Sequence, residues 1–271
     1  MLELLKYTFF QNALLGGILV SIACGIVGTY IVVRRLVFIS GGITHASFGG
    51  IGLGVFLGAN PIAVAWIFAI ASAFGVEYLS TKHKLREDSA IAVLWALGMA
   101  LGIIFLYLTP GYTMGMSEFL FGNILTISAF DIILFAALAL ALLVVFIIMY
   151  RPILYVAFDA EYARVLKLPV KFIEYMMMFF VATTIVFSIR LVGIVLLMSL
   201  VTIPQITANL FTLDFRKMMV ISVIIAVVGC VVGLFLSYFL NVPSGAFIIL
   251  VLIAFYGLCW IIRPYFLKKC A

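Results

Sequence analysis

Charge is scarce in this chain. Of its 271 residues, 10% are charged and 67% are hydrophobic. A soluble domain of this length needs far more polar surface, so a water-facing globular fold is excluded. Carboxylates are fewer still, at 10 Asp and Glu. Glu77, Asp131 and Glu174 fall near the ends of apolar runs, and none lies deep within one. Proton- and sodium-coupled carriers usually need a buried acid in their path, so this absence argues against secondary transport. No Gly-Lys pair occurs, so the chain has no Walker-type phosphate loop and cannot hydrolyse ATP by that route. No nucleophile stands beside a base in any familiar pattern, which argues against an intramembrane enzyme. Cys24, Cys230, Cys259 and Cys270 show no metal-ligand spacing and read as small apolar filler. There is no internal repeat and no low-complexity linker. The chain reads as one domain over residues 1–271.

What is abundant is apolar sequence in long runs. A spanning helix takes roughly 20 such residues. Runs of that size cover about 12–33, 40–58, 61–79, 90–109, 128–149, 172–189, 192–211, 218–240 and 245–262. They predict an all-α, polytopic transmembrane bundle of eight or nine spans. The 16 Lys and Arg residues fall in the connections, and all but Lys6 and Arg190 land on one face if nine spans alternate. Short loops rich in Lys and Arg stay in the cytoplasm. The C-terminus is therefore expected inside and the N-terminus outside. The net charge of +6 is then a topological signal. A nucleic-acid partner is not expected, because the basic residues are dispersed over loops without a stripe. Residues 1–11 are too short and too charged to span. They suit a surface amphipathic stretch, and lipid is the expected surrounding.

Three segments depart from plain lipid-facing helix. In the first, Ser40–Gly54, the small residues Gly42, Ala46, Gly50, Gly54 and Gly58 recur every four positions. On a helix they form a smooth ridge for close approach of another helix. A second row holds Gly41, His45 and Gly49, with Thr44 adjacent. His45 is the only histidine inside a predicted span. An ionisable group at that depth is either a functional ligand or a hydrogen-bonded packing residue.

The second segment is the loop near 157–169. Asp159 can cap a short helix, Glu161 sits in its first turn, Arg164 and Lys167 follow, and Pro169 stops it. Phe158, Tyr162, Val165 and Leu166 give it an apolar face. Such a helix either docks in a partner's groove or rests on headgroups. The third segment places Ser199, Thr202, Gln205 and Asn209 on one helical face beside Pro204. That stripe either lines a watery path or bonds helix to helix.

Taken in order, these pieces resemble the membrane permease subunit of bacterial ABC importers for zinc, manganese and iron. The resemblance is carried by Ser40–Gly54 with His45, by Glu87–Gly102 and by Leu120–Leu125. It continues through Phe158–Ala163, Leu191–Leu196 with Pro204, and Pro243–Gly245. It implies the ABC importer permease fold, a homodimeric pore of two such chains, and two copies of a separate ABC ATPase subunit that binds the ATP. An extracellular or periplasmic metal-binding protein would deliver the ion. The chain itself would bind no cofactor, and the divalent metal ion is cargo. It would reside in the bacterial inner or plasma membrane. By resemblance His45 is the path ligand, with Gly41, Thr44, Gly49, Ser199, Thr202, Gln205 and Asn209 lining the way. Phe158, Asp159, Glu161, Tyr162 and Arg164 would couple to the ATPase. One position departs from the family pattern: an Asp is expected four residues before the histidine, where this chain has Gly41. Glycine offers no side-chain ligand. A metal chelate such as a siderophore or haem is therefore the alternative cargo, and an ion-coupled secondary transporter the more distant one.

Overall fold

A computed structural model describes residues 6–83, 86–109, 122, 124 and 127–267. Those residues form ten helices and no strand. They are α1 (Thr8–Val33), α2 (Val37–Phe56), α3 (Pro61–His83), α4 (Glu87–Leu108) and α5 (Ala129–Ile148), then α6 (Tyr150–Phe158), α7 (Ala160–Val165), α8 (Val170–Asn209), α9 (Phe215–Leu240) and α10 (Ser244–Leu267). Lys84, Leu120, Asn123, Leu125, Lys268, Lys269 and Cys270 lie outside the described residues.

The ends of these helices are set by local chemistry. Asn60 Oδ1 accepts from the amides of Ile62 and Ala63, and Pro61 opens α3 where its missing N–H costs nothing. Ser128 and Asp131 cap α5 reciprocally. The Asp131 amide donates to Ser128 Oγ at 3.2 Å, and the Ser128 amide donates to Asp131 Oδ2 at 3.1 Å. Asp214 caps α9 by accepting from the Lys217 amide at 2.9 Å, and Asn241 closes that helix in the left-handed region, φ 53°. Gly58 does the same beyond α2, at φ 65°. The expected ridge thus ends at Gly54, because α2 stops at Phe56. At the N-terminus helix begins by Thr8, inside the stretch expected to lie on the surface.

Among the described residues, seven helices are long and apolar enough to cross a membrane: α1, α3, α4, α5, α8, α9 and α10. α2, with 20 residues, is not among them. α8 covers 40 residues as two helical segments joined at a kink, where the sequence suggests two spans. It is broken internally at Gly193, whose φ of 74° and ψ of 171° are open essentially to glycine alone.

The helices sort into two compact units. One holds α1 to Val32, α5 to Val145, α8 from Arg190, and both α9 and α10. Asn12 Nδ2 donates to the Ile127 carbonyl, and Asp131 pairs with Arg190 at 3.0 Å, so these residues share one end. Farther along, Gln205 Nε2 donates to the Cys24 carbonyl at 3.0 Å. A Cβ on Gly28 would stand 2.5 Å from the Val201 carbonyl oxygen. From that shared end, then, α1 and the second half of α8 run the same way. α9 and α10 form an antiparallel pair through Gly229 on Leu252 and Gly233 on Ile248.

The other unit holds α2, α3, α4, α6, α7 and α8 up to Ile189. Gly50 packs on Ala65 and Phe68, and Gly54 on Pro61, so α2 and α3 are antiparallel. Gly42 meets Ile91, Ala46 meets Gly98, and Gly52 meets Gly102, so α2 and α4 are parallel. α3 and α8 are antiparallel. Phe74 meets Tyr175 edge-on, and the Trp66 indole N–H donates to Thr183 Oγ1 at 3.0 Å.

Candidate transport path and coupling segment

The small residues of α2 let its backbone close onto α4. A Cβ on Gly49 would stand 2.7 Å from the Gly98 carbonyl oxygen, and one on Gly52 would stand 2.6 Å from that of Gly102. One turn from the Gly49–Gly98 contact, the same two faces carry His45 and Trp95. Their rings stack face to face, with centroids 4.3 Å apart and planes 11° from parallel. His45 is half-buried and Trp95 is 36% exposed. The sequence suggested an imidazole in a bed of glycine, and the fold adds an indole over one face. His45 Nδ1 is buried without a hydrogen-bond partner. Gly41 and Thr44 are buried on α2, and Thr44 Oγ1 likewise has no partner. The hydroxyls of Ser40 and Ser47 are turned back onto the helix, donating to Val37 and Thr44 carbonyls at 2.6 Å. Among the described residues, no three His, Cys, Asp or Glu groups come together as a metal-holding cluster.

The polar stripe of α8 belongs to the other unit. Gln205 is fully buried and bonds helix to helix, to the carbonyls of Cys24 and Leu200. Ser199 and Thr202 are half-buried, and Asn209 is exposed. The Ser199 hydroxyl donates to the Val195 carbonyl at 3.0 Å.

The loop segment folds as two short helices hinged at Asp159. α6, with Arg151 and Pro152 in its first turn, has no counterpart in the sequence reading. Asp159 Oδ1 accepts from the amides of Glu161 and Tyr162 at 3.0 and 2.9 Å and starts α7 there. Phe158 ends α6 and precedes the cap, rather than lying within α7. Lys167, at φ 57°, turns the chain out, and its amide donates to the Arg164 carbonyl. Ala163 is buried and points inward. Phe158, Tyr162 and Val165 are 62%, 51% and 78% exposed, an apolar surface alongside exposed Glu161 and Arg164. Tyr162 also meets Tyr155 edge-on, at 5.9 Å.

Behind this segment lies a junction that sequence reasoning missed. Arg34 Nη1 donates to Glu174 Oε1 and to the Val156 carbonyl, each at 3.2 Å. Glu87 lies 3.9 Å from the same guanidinium. Arg34 and Glu174 side chains are 13% and 7% exposed. One arginine therefore ties the residue after α1 to α4, α6 and α8. In sequence Arg34 reads as a loop charge and Glu174 as a span-end acid. Only the fold brings residues 140 positions apart together.

Comparison with known proteins bears on what this arrangement serves. A family model described as the ABC 3 transport family matches residues 6–263. The chain is 40% identical, over 251 residues, to an uncharacterized membrane protein of Synechocystis, covering 93% of this chain and 89% of that one. It is 32% identical, over 262 residues, to the manganese transport system membrane protein MntC of Halalkalibacterium halodurans, covering 97% and 90%. Among solved structures it is similar to PsaBC from Streptococcus pneumoniae in complex with Fab. That likeness has a TM-score of 0.85 and 29% identity, and covers 99% of this chain and 97% of that one.

Proposed function

Because the chain belongs to the ABC 3 transport family, we propose that it is the permease subunit of an ATP-driven importer of a divalent transition-metal ion, manganese, zinc or iron. The observation that carries this reading is the capped, outward-facing α7 with its exposed Phe158 and Tyr162. A chain without a phosphate loop must receive work from a partner, and a short helix presenting aromatic anchors suits a groove on an ATPase. The name of the MntC relative supports metal as cargo. Two copies of the chain form the pore, two ATPase subunits drive it, and an external metal-binding protein supplies it. The chain is read as a single permease domain in the plasma membrane.

The span count follows from lengths. At about 1.5 Å per residue, α8 would extend roughly 60 Å, twice a hydrocarbon core of about 30 Å. With the break at Gly193 making two passes, and α2 another, the chain crosses nine times. The N-terminus is then outside and the C-terminus in the cytoplasm, as the basic loops require. His45 stands in the path as the ion's protein ligand. Ser199, Thr202, Gln205 and Asn209 on α8 are the other residues read as lining the path.

A metal chelate is the second reading, favoured by one observation. Gly41 gives His45 no carboxylate companion, and a chelated ion brings its own ligands. Proteoliposomes holding the permease with its ATPase decide between them. Uptake of free Mn²⁺, Zn²⁺ or Fe²⁺ that needs internal ATP supports the ion importer. Uptake of a ferric chelate in their place supports the second reading. Metal uptake that proceeds without ATP, driven by an ion gradient, refutes both.

A further inference from the structure

The contact that fixes His45 belongs to α4, not α2. An imidazole ligates through an in-plane lone pair, so the plane of the ring sets where a metal ion can sit. Ligating histidines usually have that plane fixed by a hydrogen bond at the other ring nitrogen. His45 lacks this: its Nδ1 is buried and has no hydrogen-bond partner. The ring is instead held by its face, stacked 4.3 Å from the Trp95 indole at 11°. The backbone approach one turn away makes that stack possible, because Gly49 and Gly98 leave no side chains between the helices. Trp95 is still 36% exposed.

We propose that Trp95 is the positioning residue for His45. It substitutes an aromatic face for the missing hydrogen bond, and so sets the affinity of the path for its ion. This rests on the reading of the chain as a metal importer. Trp95 touches the ligand and not the ion's own bonding orbital. Its loss should therefore weaken capture more than turnover. Outer-shell partners of metal-ligating histidines typically change affinity by about 10- to 100-fold when removed.

The test uses the whole permease–ATPase complex in proteoliposomes and Mn²⁺ and Co²⁺ as probes. Trp95→Leu keeps apolar bulk and removes the aromatic face. It should raise the KM for uptake about tenfold or more with little change in maximal rate. Trp95→Phe keeps a face and should restore most of the loss, which a residue serving only as bulk would not require. Trp95→Leu added to His45→Ala should lower uptake no further than His45→Ala alone, since the two act as one unit. An independent reading comes from emission. An ion on His45 lies against the Trp95 indole, so Mn²⁺ or Co²⁺ should quench wild-type tryptophan fluorescence. Most of that quench should vanish in Trp95→Phe and in His45→Ala. If wild type transports metal yet Trp95→Leu keeps wild-type KM, the proposal is overturned and the importer reading stands. Quenching that is identical in wild type and Trp95→Phe overturns it as well, even where Trp95→Leu fails to fold. If wild type takes up no metal with ATP, it is the importer reading that fails.

Discussion

Replacing Arg34 by Met should be among the most damaging single changes in this chain. The guanidinium is the charge partner of Glu174, whose side chain is 7% exposed. Removing one member of a buried pair strands the other, at a cost of about 3–5 kcal/mol. The reverse change, Glu174→Met, should cost less. Arg34 then retains Glu87 at 3.9 Å and the Val156 carbonyl at 3.2 Å. The double variant should recover much of the loss, because an apolar pair of similar volume is often no worse than the ions it replaces. With roughly 2–4 °C of melting temperature per kcal/mol in a chain of this size, Arg34→Met should melt about 6–20 °C lower. The protein carries its own reporter. Cys24 and Cys230 are buried, at 0% and 2% exposure, so a thiol-reactive dye labels them only on unfolding. Cys259 and Cys270 are first changed to Ser to remove background. A melting point for Arg34→Met within 2 °C of wild type would refute the reasoning, and so would a double variant that melts lower than either single one.

Three further changes probe other parts of the fold. Gly98→Leu should separate α2 from α4, because a Cβ there meets the Ala46 backbone; loss of folded protein in size-exclusion chromatography checks it, and normal yield with normal uptake refutes it. Gly193→Ala should destabilise by about 1–3 kcal/mol, since its φ of 74° with ψ 171° is essentially closed to other residues. An unchanged melting curve would show that the break relaxes at no cost. Phe158→Ala with Tyr162→Ala should weaken ATPase association about tenfold or more, while Asp159→Ala should cost about 1 kcal/mol of cap and be rescued by Asn. Wild-type ATPase affinity in the double variant would move the docking role to the segment between α3 and α4.

Most of the helices were legible because apolar run length is a direct signal of a spanning segment, and the basic loops mark its ends. The ridge Gly42, Ala46, Gly50 and Gly54 likewise announced close packing, and those residues do meet α3 and α4. The misses have physical causes. Tyr150–Phe158 is a separate helix, but its Arg151 and Pro152 read as loop when they are simply first-turn residues. The boundary between the two segments of Val170–Asn209 reads at Arg190, which interrupts the apolar run, whereas the break in the backbone falls three residues later at Gly193.

The site was less legible than the fold because its parts are shared between helices. Periodicity reports which residues face the same way on one helix, and says nothing of what faces them. It put Gly41, His45 and Gly49 in one row, but the residue that completes His45 is Trp95 on α4, which alone reads as one more lipid-facing aromatic. Arg34 shows the same limit: in sequence it orients a loop, and in the fold it joins α4, α6 and α8 just behind the capped α7. The glycines of α2 link these levels. Their lack of side chains is what lets the two backbones close, and the closed backbones are what bring an imidazole on one helix against an indole on the other. A packing motif thereby becomes a chemical one. For that reason a bulky residue at Gly98, although it touches neither ring, should disturb His45 as surely as a change at Trp95.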